Sequence, residues 1–176
     1  LARRHPHVVT VRLVGFPGAP DRLAYDVVVQ AETGFMSMNG EPGSKPLRMP
    51  VALMDVLASH QIRTAVLEGL LGRSQGRTGA YAEVSLEASG ISALVNQSTN
   101  FLMNGEVPQA QGSIHPNIAP YGDLLKCADG WMVLAVGNDR QFRRLCAVLG
   151  HPEWSDRPEF QTNVDRLRHR EALVAL

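Results

Sequence analysis

The sequence lacks the features that mark several classes of protein. Its only cysteines among 176 residues, Cys127 and Cys146, do not show the paired spacing of a zinc or redox motif. No apolar run reaches the ~18 residues that span a membrane, and no signal-peptide pattern opens the chain. Basic and acidic residues balance at 17 each, so no net field attracts nucleic acid or anionic lipid. We therefore expect no metal, no nucleic-acid partner, no membrane partner and a reducing, cytoplasmic location.

The two ends of the sequence lack ordinary boundary signals. The chain begins with Leu1 rather than Met, and residues 172–176 are an apolar helical pattern without a stop signal. Both ends therefore look truncated. If the N-terminus of the protein is missing from this sequence, an organellar targeting segment could have been lost with it.

The remaining composition is that of an ordinary globular protein, and its first hundred residues predict alternating strands and helices. Residues 8–14 are apolar and mostly β-branched, which is typical of a buried strand. Residues 50–73 predict a long, mostly buried helix with Pro50 in its first turn. Its packed face is expected to be a stripe of apolar or small side chains: Met54, Ala58, Ile62, Ala65 and Gly69. A strand at 81–86 and a second long helix at 86–103 follow. This order predicts an α/β fold.

A change in composition then divides the chain. Residues 104–121 hold clusters of Gly and Pro without periodicity, which is typical of a linker or a long functional loop. We therefore predict one domain over residues 1–103 and a second over residues 122–176.

The second domain carries clear local signals. Asp129-Gly130 lies between two apolar runs, which predicts a β-hairpin with a type I′ turn. Asn138 or Asp139 can then cap a helix, and Gly150 marks its C-terminal end.

Asp55 is the residue whose setting most suggests chemistry. It is the one charged side chain in residues 49–58, which read MPVALMDVLA. Burying an ionised carboxylate costs several kcal/mol unless hydrogen bonds or a helix N-terminus stabilise it. The pattern alone leaves two interpretations open: a structural Asp that is bonded to a neighbouring loop, or a functional carboxylate.

Several motifs occur in an order that matches a known family. Residues 24–36 read AYDVVVQAETGFM and residues 72–87 read GRSQGRTGAYAEVSLE, with Asp55 between them. HPNIAPY at 115–121 and GNDRQF at 137–142 follow. Together they resemble the class III CoA-transferases, the group that contains formyl-CoA transferase, L-carnitine CoA-transferase and the related 2-methylacyl-CoA racemases.

The resemblance implies a fold and an assembly. Residues 1–103 would be part of a Rossmann-like large domain, and residues 122–176 the start of a smaller α+β domain. Members of the family form interlocked homodimers, so we expect the intact protein to do the same.

The resemblance also implies a reaction. Asp55 lies where the family has its catalytic aspartate, so it would form an aspartyl anhydride with an acyl-CoA and then an aspartyl-CoA thioester. CoA would pass in this way from a donor such as succinyl-CoA to a carboxylic acid acceptor. No permanently bound cofactor is implied, because the CoA thioester is a substrate.

Four further positions match motifs of the family and are expected to bind CoA or substrate: Tyr25, Gln30, Ala31 and Asn138. The racemases have a His where Tyr25 stands and a Glu where Asn138 stands, so these two residues favour a transferase. Tyr25 could instead be a packed aromatic side chain. A racemase, and an inactive fragment or interaction module, are the alternative functions.

Overall fold

The protein is described by a computed structural model that covers residues 3–19 and 21–176. The chain divides into two compact units, Leu1–Ala110 and Gln111–Leu176. The division falls inside residues 104–121, the segment predicted to be a linker. Both units combine helices with a small sheet, so the predicted α/β class is confirmed.

The first unit is built around a parallel pair of strands. Its elements are β1 (Val9–Val14), α1 (Asp26–Glu32), α2 (Phe35–Met38), α3 (Leu53–Ser74), β2 (Ala80–Ser85), α4 (Leu86–Ser92) and α5 (Asn96–Asn104). β1 and β2 pair in parallel, with Val9 opposite Ala80. Parallel neighbours need a crossover connection, and this one includes α3, which packs against both strands.

The packed face of α3 is the predicted one. Met54, Ala58 and Gly69 are buried along it. A Cβ at Gly69 would lie 2.6 Å from Cγ1 of Val9, so only glycine lets the helix approach β1 this closely. The core around the N-terminal half of α3 consists of Phe16, Val29, Met54, Ala58, Val84 and Leu86.

Two predictions about burial were wrong. α3 is not mostly buried, because its opposite face exposes residues such as Leu67 and Leu71. β1 is a strand as predicted, but Leu13 is 49% exposed. β2 is the strand that pairs with β1 in the described part of the chain, and one partner leaves much of β1 uncovered.

The start of α3 also differs from the prediction. Pro50 does not lie in the first turn, because the helix begins at Leu53 with Ala52 as its N-cap. This shift places Asp55 in the first turn rather than one turn further along.

The predicted second long helix is broken in two. α4 ends at Ser92 and α5 begins at Asn96. Between them Val95 has a φ of +48°, a left-handed conformation that is rare for a β-branched residue. The periodicity of the sequence continues through this break, and a turn that depends on an unfavourable conformation leaves no sequence signal.

The second unit begins with the predicted hairpin. Its elements are β3 (Tyr121–Lys126), β4 (Trp131–Ala135), α6 (Asp139–Val148), a 3-10 turn (Pro152–Asp156), α7 (Asn163–Arg168) and α8 (Arg170–Val174). β3 and β4 are antiparallel, which confirms the hairpin. The type I′ turn is wrong, because neither Asp129 nor Gly130 has the positive φ that this turn requires.

The helix after the hairpin follows its sequence signals closely. Asn138 caps α6, and Gly150 has a φ of +81° just past its end. The Gly150 N–H donates to the carbonyl of Ala147, and the His151 N–H donates to that of Cys146. These paired bonds form a Schellman motif and satisfy carbonyls that the helix end would leave free.

Candidate active site

Asp55 lies in the first turn of α3 with its carboxylate free. It is the third residue of the helix, its side chain is exposed, and the structure records no hydrogen bond or ion pair for it within residues 3–19 and 21–176. The burial expected from the apolar neighbours of Asp55 was therefore wrong, while the expected helix N-terminus is present. The packed face of α3 runs through Met54 and Ala58 and leaves Asp55 in contact with solvent.

The N-terminus of α3 is capped from a distant part of the chain. Ala52 has no side-chain oxygen, and no side-chain bond from the N-cap is present. Instead, Oδ1 of Asp26 accepts a hydrogen bond from the Met54 N–H at 2.7 Å. The first N–H groups of a helix have no partner within the helix, so Asp26 satisfies one of them. Met54 directly precedes Asp55.

Gln30 holds the segment that leads into α3. Its side chain is fully buried. Oε1 accepts from the Met49 N–H at 2.7 Å. Nε2 donates to the carbonyl of Val51 at 3.2 Å and to Oδ2 of Asp26 at 2.6 Å. The structure thus gives the Gln30 side chain internal partners, and its contact with CoA stays a prediction.

Tyr25 and Ala31 are the other predicted residues of the first unit. Tyr25 is the N-cap residue of α1 and is 67% exposed, so it is not the packed aromatic of the alternative interpretation. Ala31 is also exposed. Both residues therefore remain open to a ligand, and their contact with CoA stays a prediction.

Asn138 belongs to the second unit. Its Oδ1 accepts from the Gln141 N–H at 3.0 Å, which is the N-cap bond of α6. This cap accounts for the residue type at position 138 without a ligand. A substrate contact of Asn138 stays a prediction.

Asp26 is the site residue that sequence reasoning missed. It is part of the family motif at residues 24–36, and it lies four residues before Gln30, which places the two side chains on one face of α1. Its bond to Met54 joins residues that are 28 positions apart. No short-range pattern could have revealed that bond.

Residues 3–19 and 21–176 contain neither a metal-binding cluster nor a membrane-spanning helix. No cluster of three or more His, Cys, Asp or Glu there could hold a metal ion. None of the helices in this part of the chain is both long and apolar enough to cross a membrane.

Comparison with known sequences identifies the family. Residues 1–176 match the sequence profile of CoA-transferase family III. The chain therefore belongs to CoA-transferase family III.

Individual relatives agree with the family assignment. A succinate–glutarate CoA-transferase of Agrobacterium fabrum is 36% identical over 94% of this chain and 42% of its own length. An acetyl-CoA:oxalate CoA-transferase of Acetobacter aceti is 31% identical over 99% of this chain and 46% of its own. The chain thus spans less than half the length of these relatives.

Solved structures agree as well. A CAIB/BAIF family protein from Brucella suis matches with a TM-score of 0.72 and 32% identity, over 96% of this chain and 45% of that one. A Mycobacterium tuberculosis protein matches with a TM-score of 0.85 over 99% of this chain and 45% of that one. Its identity is 24%, so it supports the fold alone.

Proposed function

We propose that the protein transfers CoA from an acyl-CoA to a carboxylic acid, with Asp55 as the nucleophile that carries CoA between them. The observation that carries this proposal is the exposed, unpartnered carboxylate in the first turn of α3, in a chain that belongs to CoA-transferase family III. Asp26 and Asp165 are bonded to their neighbours. Glu87 and Glu171, in the first turns of α4 and α8, also have no recorded partner among the described residues, so the position of Asp55 between the family motifs decides in its favour.

The first half of the reaction forms the carrier. A carboxylate oxygen of Asp55 attacks the thioester carbonyl, the C–S bond breaks, and CoA leaves as the thiolate. The thiolate then attacks the Asp55 carbonyl of this mixed anhydride. The donor acid leaves as its carboxylate, and Asp55 holds CoA as a thioester.

The second half reverses these steps with the acceptor. The acceptor carboxylate attacks the aspartyl-CoA carbonyl and releases the CoA thiolate, which leaves an anhydride of Asp55 and the acceptor. The thiolate attacks the acceptor carbonyl, and Asp55 returns as a carboxylate. No net proton or electron is exchanged, so no redox cofactor is required.

The position of Asp55 suits an attack by its carboxylate. The N-terminus of α3 carries a partial positive charge from the aligned peptide dipoles, and the exposed side chain can be reached by a thioester. A carboxylate nucleophile needs no separate base.

The substrates that we propose come from the relatives. The Agrobacterium relative is named for succinate and glutarate, and the Mus musculus relative is named succinyl-CoA:glutarate CoA-transferase at 29% identity. We propose succinyl-CoA as the donor and a short dicarboxylate such as glutarate as the acceptor.

The same family suggests which domains of the whole protein the two units form and how that protein assembles. We propose that the first unit belongs to a Rossmann-like large domain, that the second begins a smaller α+β domain, and that the intact protein forms an interlocked homodimer. We further propose that Tyr25 and Ala31 line the CoA site. The exposure of these two residues supports that role.

The racemase alternative requires proton removal next to the thioester carbonyl. Tyrosine is a poorer base at neutral pH than the His that the racemases have at the position of Tyr25. A racemase would incorporate solvent deuterium into 2-methylacyl-CoA without an acceptor acid, whereas a transferase would not.

Turnover tests the proposal. The full-length protein is incubated with succinyl-CoA and glutarate, and glutaryl-CoA is measured by chromatography. We expect product from the wild type and none above background from Asp55→Asn, whose amide is not a nucleophile. Equal turnover by the folded variant would refute the assignment. A folded wild type that neither turns over nor binds acyl-CoA by calorimetry would support a non-catalytic module.

A further inference from the structure

We propose that Asp26 and Gln30 are positioning residues for Asp55, and that their hydrogen bonds hold the first turn of α3 where it presents the Asp55 carboxylate to the thioester. This proposal rests on the proposed function, because it assumes that Asp55 is the nucleophile. Neither side chain needs to touch the substrate. They act through the backbone on either side of Asp55.

The first step is the missing cap. Ala52 cannot satisfy an N–H group of the first turn through its side chain, and Asp26 does so at Met54 instead. A bond from an N–H group to a carboxylate is about twice as strong as one between neutral groups. The cap of α3 therefore comes from α1, and it ties the start of one helix to the start of the other.

The second step concerns the segment that leads into α3, which Gln30 holds by hydrogen bonds. Gln30 accepts from the Met49 N–H and donates to the Val51 carbonyl, so both ends of its amide hold the segment before the helix. The same amide donates to Asp26. The approach segment and the first turn are thus fixed to α1 by one connected network.

The third step is an anchor on the core side. The Met54 side chain is fully buried, and a Cβ at Gly90 would lie 2.8 Å from its sulfur. The backbone N–H of Met54 is held by Asp26 while its side chain is held in this close-packed contact. The residue before Asp55 therefore cannot shift without breaking one of these contacts.

The fourth step concerns what a carboxylate at this helix position otherwise does. A third-position acidic side chain commonly reaches back to the backbone N–H of the N-cap residue. Asp165 of α7 does this: its Oδ2 accepts from the Thr162 N–H at 3.3 Å. Asp55 makes no such bond in the described part of the chain. Asp26 caps α3 at the Met54 N–H, so the first turn has a side-chain cap in which Asp55 takes no part.

The test compares variants at position 26 under saturating succinyl-CoA and glutarate. Asp26→Ala removes the cap and is expected to lower kcat about tenfold to a hundredfold, because a small misplacement of a reacting group is enough for such a loss. KM for succinyl-CoA should change by less than about twofold, since Asp26 does not touch the substrate. Asp26→Asn keeps an oxygen for the Met54 N–H but faces the Gln30 amide with a second donor, so it should recover only part of kcat.

Two controls separate a positioning role from loss of fold. Circular dichroism and thermal unfolding of each variant show how much folded protein is present, and kcat is expressed per folded molecule. Asp165→Ala removes another helix-capping carboxylate and should leave kcat unchanged. A purely structural role for Asp26 would lower the folded fraction but not kcat per folded molecule.

The outcomes distinguish this proposal from the one on which it rests. If Asp55→Asn keeps its turnover, the proposed function fails. If Asp55→Asn is inactive while folded Asp26→Ala keeps the wild-type kcat, only the positioning role fails. An equal loss in Asp26→Ala and Asp26→Asn would also overturn it, because the asparagine keeps the cap.

Discussion

The first turns of α3 and α7 each place an aspartate at the third helical residue, yet the two side chains have different surroundings. Asp165 of α7 forms a capping box with Thr162, in which each side chain bonds to the backbone of the other. Asp55 of α3 follows an alanine N-cap and has no such partner in the described part of the chain. The aspartate at the third helical residue is therefore hydrogen-bonded in α7 and unbonded, within the described residues, in α3.

The two helices also differ in where their side-chain cap comes from. α7 is capped by its own preceding residue, Thr162, and the reciprocal bond engages Asp165. α3 is capped by Asp26, which lies on another helix. A cap that comes from elsewhere satisfies the helix N-terminus while it leaves the local carboxylate open to a substrate.

The largest expected effect is on turnover when each aspartate is replaced in turn. Asp55→Asn should lower kcat about a thousandfold or more, because it removes the nucleophile. Asp165→Asn should change kcat by less than about twofold. Steady-state production of glutaryl-CoA measures both. Similar losses in the two variants would mean that the first turns do not differ in function.

A second variant should make α3 resemble α7. Ala52→Ser supplies a local cap and creates the Ser-x-x-Asp spacing of a capping box with Asp55. We expect the helix to gain about 0.5–1 kcal/mol, and kcat to fall several-fold as Asp55 is drawn to the backbone. Thermal unfolding and steady-state kinetics measure the two effects. Ala52→Gly is the matched control, because it caps without a side chain. Unchanged kcat in a stabilised Ala52→Ser protein would argue against this account.

The converse change removes the local cap of α7. Thr162→Ala should destabilise the start of that helix by about 1 kcal/mol, since no distant side chain replaces the hydroxyl. Amide hydrogen exchange of residues 163–168 measures this loss. Thr10→Ala, in β1, is a control that leaves helix caps intact. Equal exchange in the wild type and Thr162→Ala would show that α7 does not depend on its local cap.

A smaller effect should appear in acid. Hydrogen bonds from Thr162 lower the pKa of Asp165 below its usual range. A lowered pKa in the folded state adds stability above the ordinary value of about 3.9, and this stability is lost as the pH falls through the lowered value. Exchange at α7 should therefore quicken as the pH falls below about 4 in the wild type, beyond the intrinsic dependence of exchange on pH. Asp165→Asn should lack this acid-dependent part, and an identical acid response would contradict the assignment.

Much of the fold follows from local signals in the sequence. Asn138 and Gly150 predict the two ends of α6, and the Asp129-Gly130 pair predicts the hairpin, because each signal acts over a few residues. The packed stripe of α3 follows from its helical periodicity. The break at Val95 was missed, since an unfavourable φ at a valine depends on tertiary contacts and has no local signal.

The candidate site was only partly predictable. Family motifs led to Asp55, while the burial expected from its apolar neighbours was wrong because α3 packs along one face. Gln30 was found as a motif residue, but the structure gives its side chain internal partners rather than an exposed surface. The role of Asp26 depends on a bond across 28 residues, which only the fold brings together.

The most direct test of the central claim is to trap the covalent intermediate. The full-length protein is incubated with succinyl-CoA without an acceptor and then treated with hydroxylamine or borohydride. Its peptides are analysed by mass spectrometry. We predict modification at Asp55 and none at Asp165, with no modification at position 55 in Asp55→Asn. An unmodified Asp55 in protein that turns over, or an adduct at another carboxylate, would contradict the account.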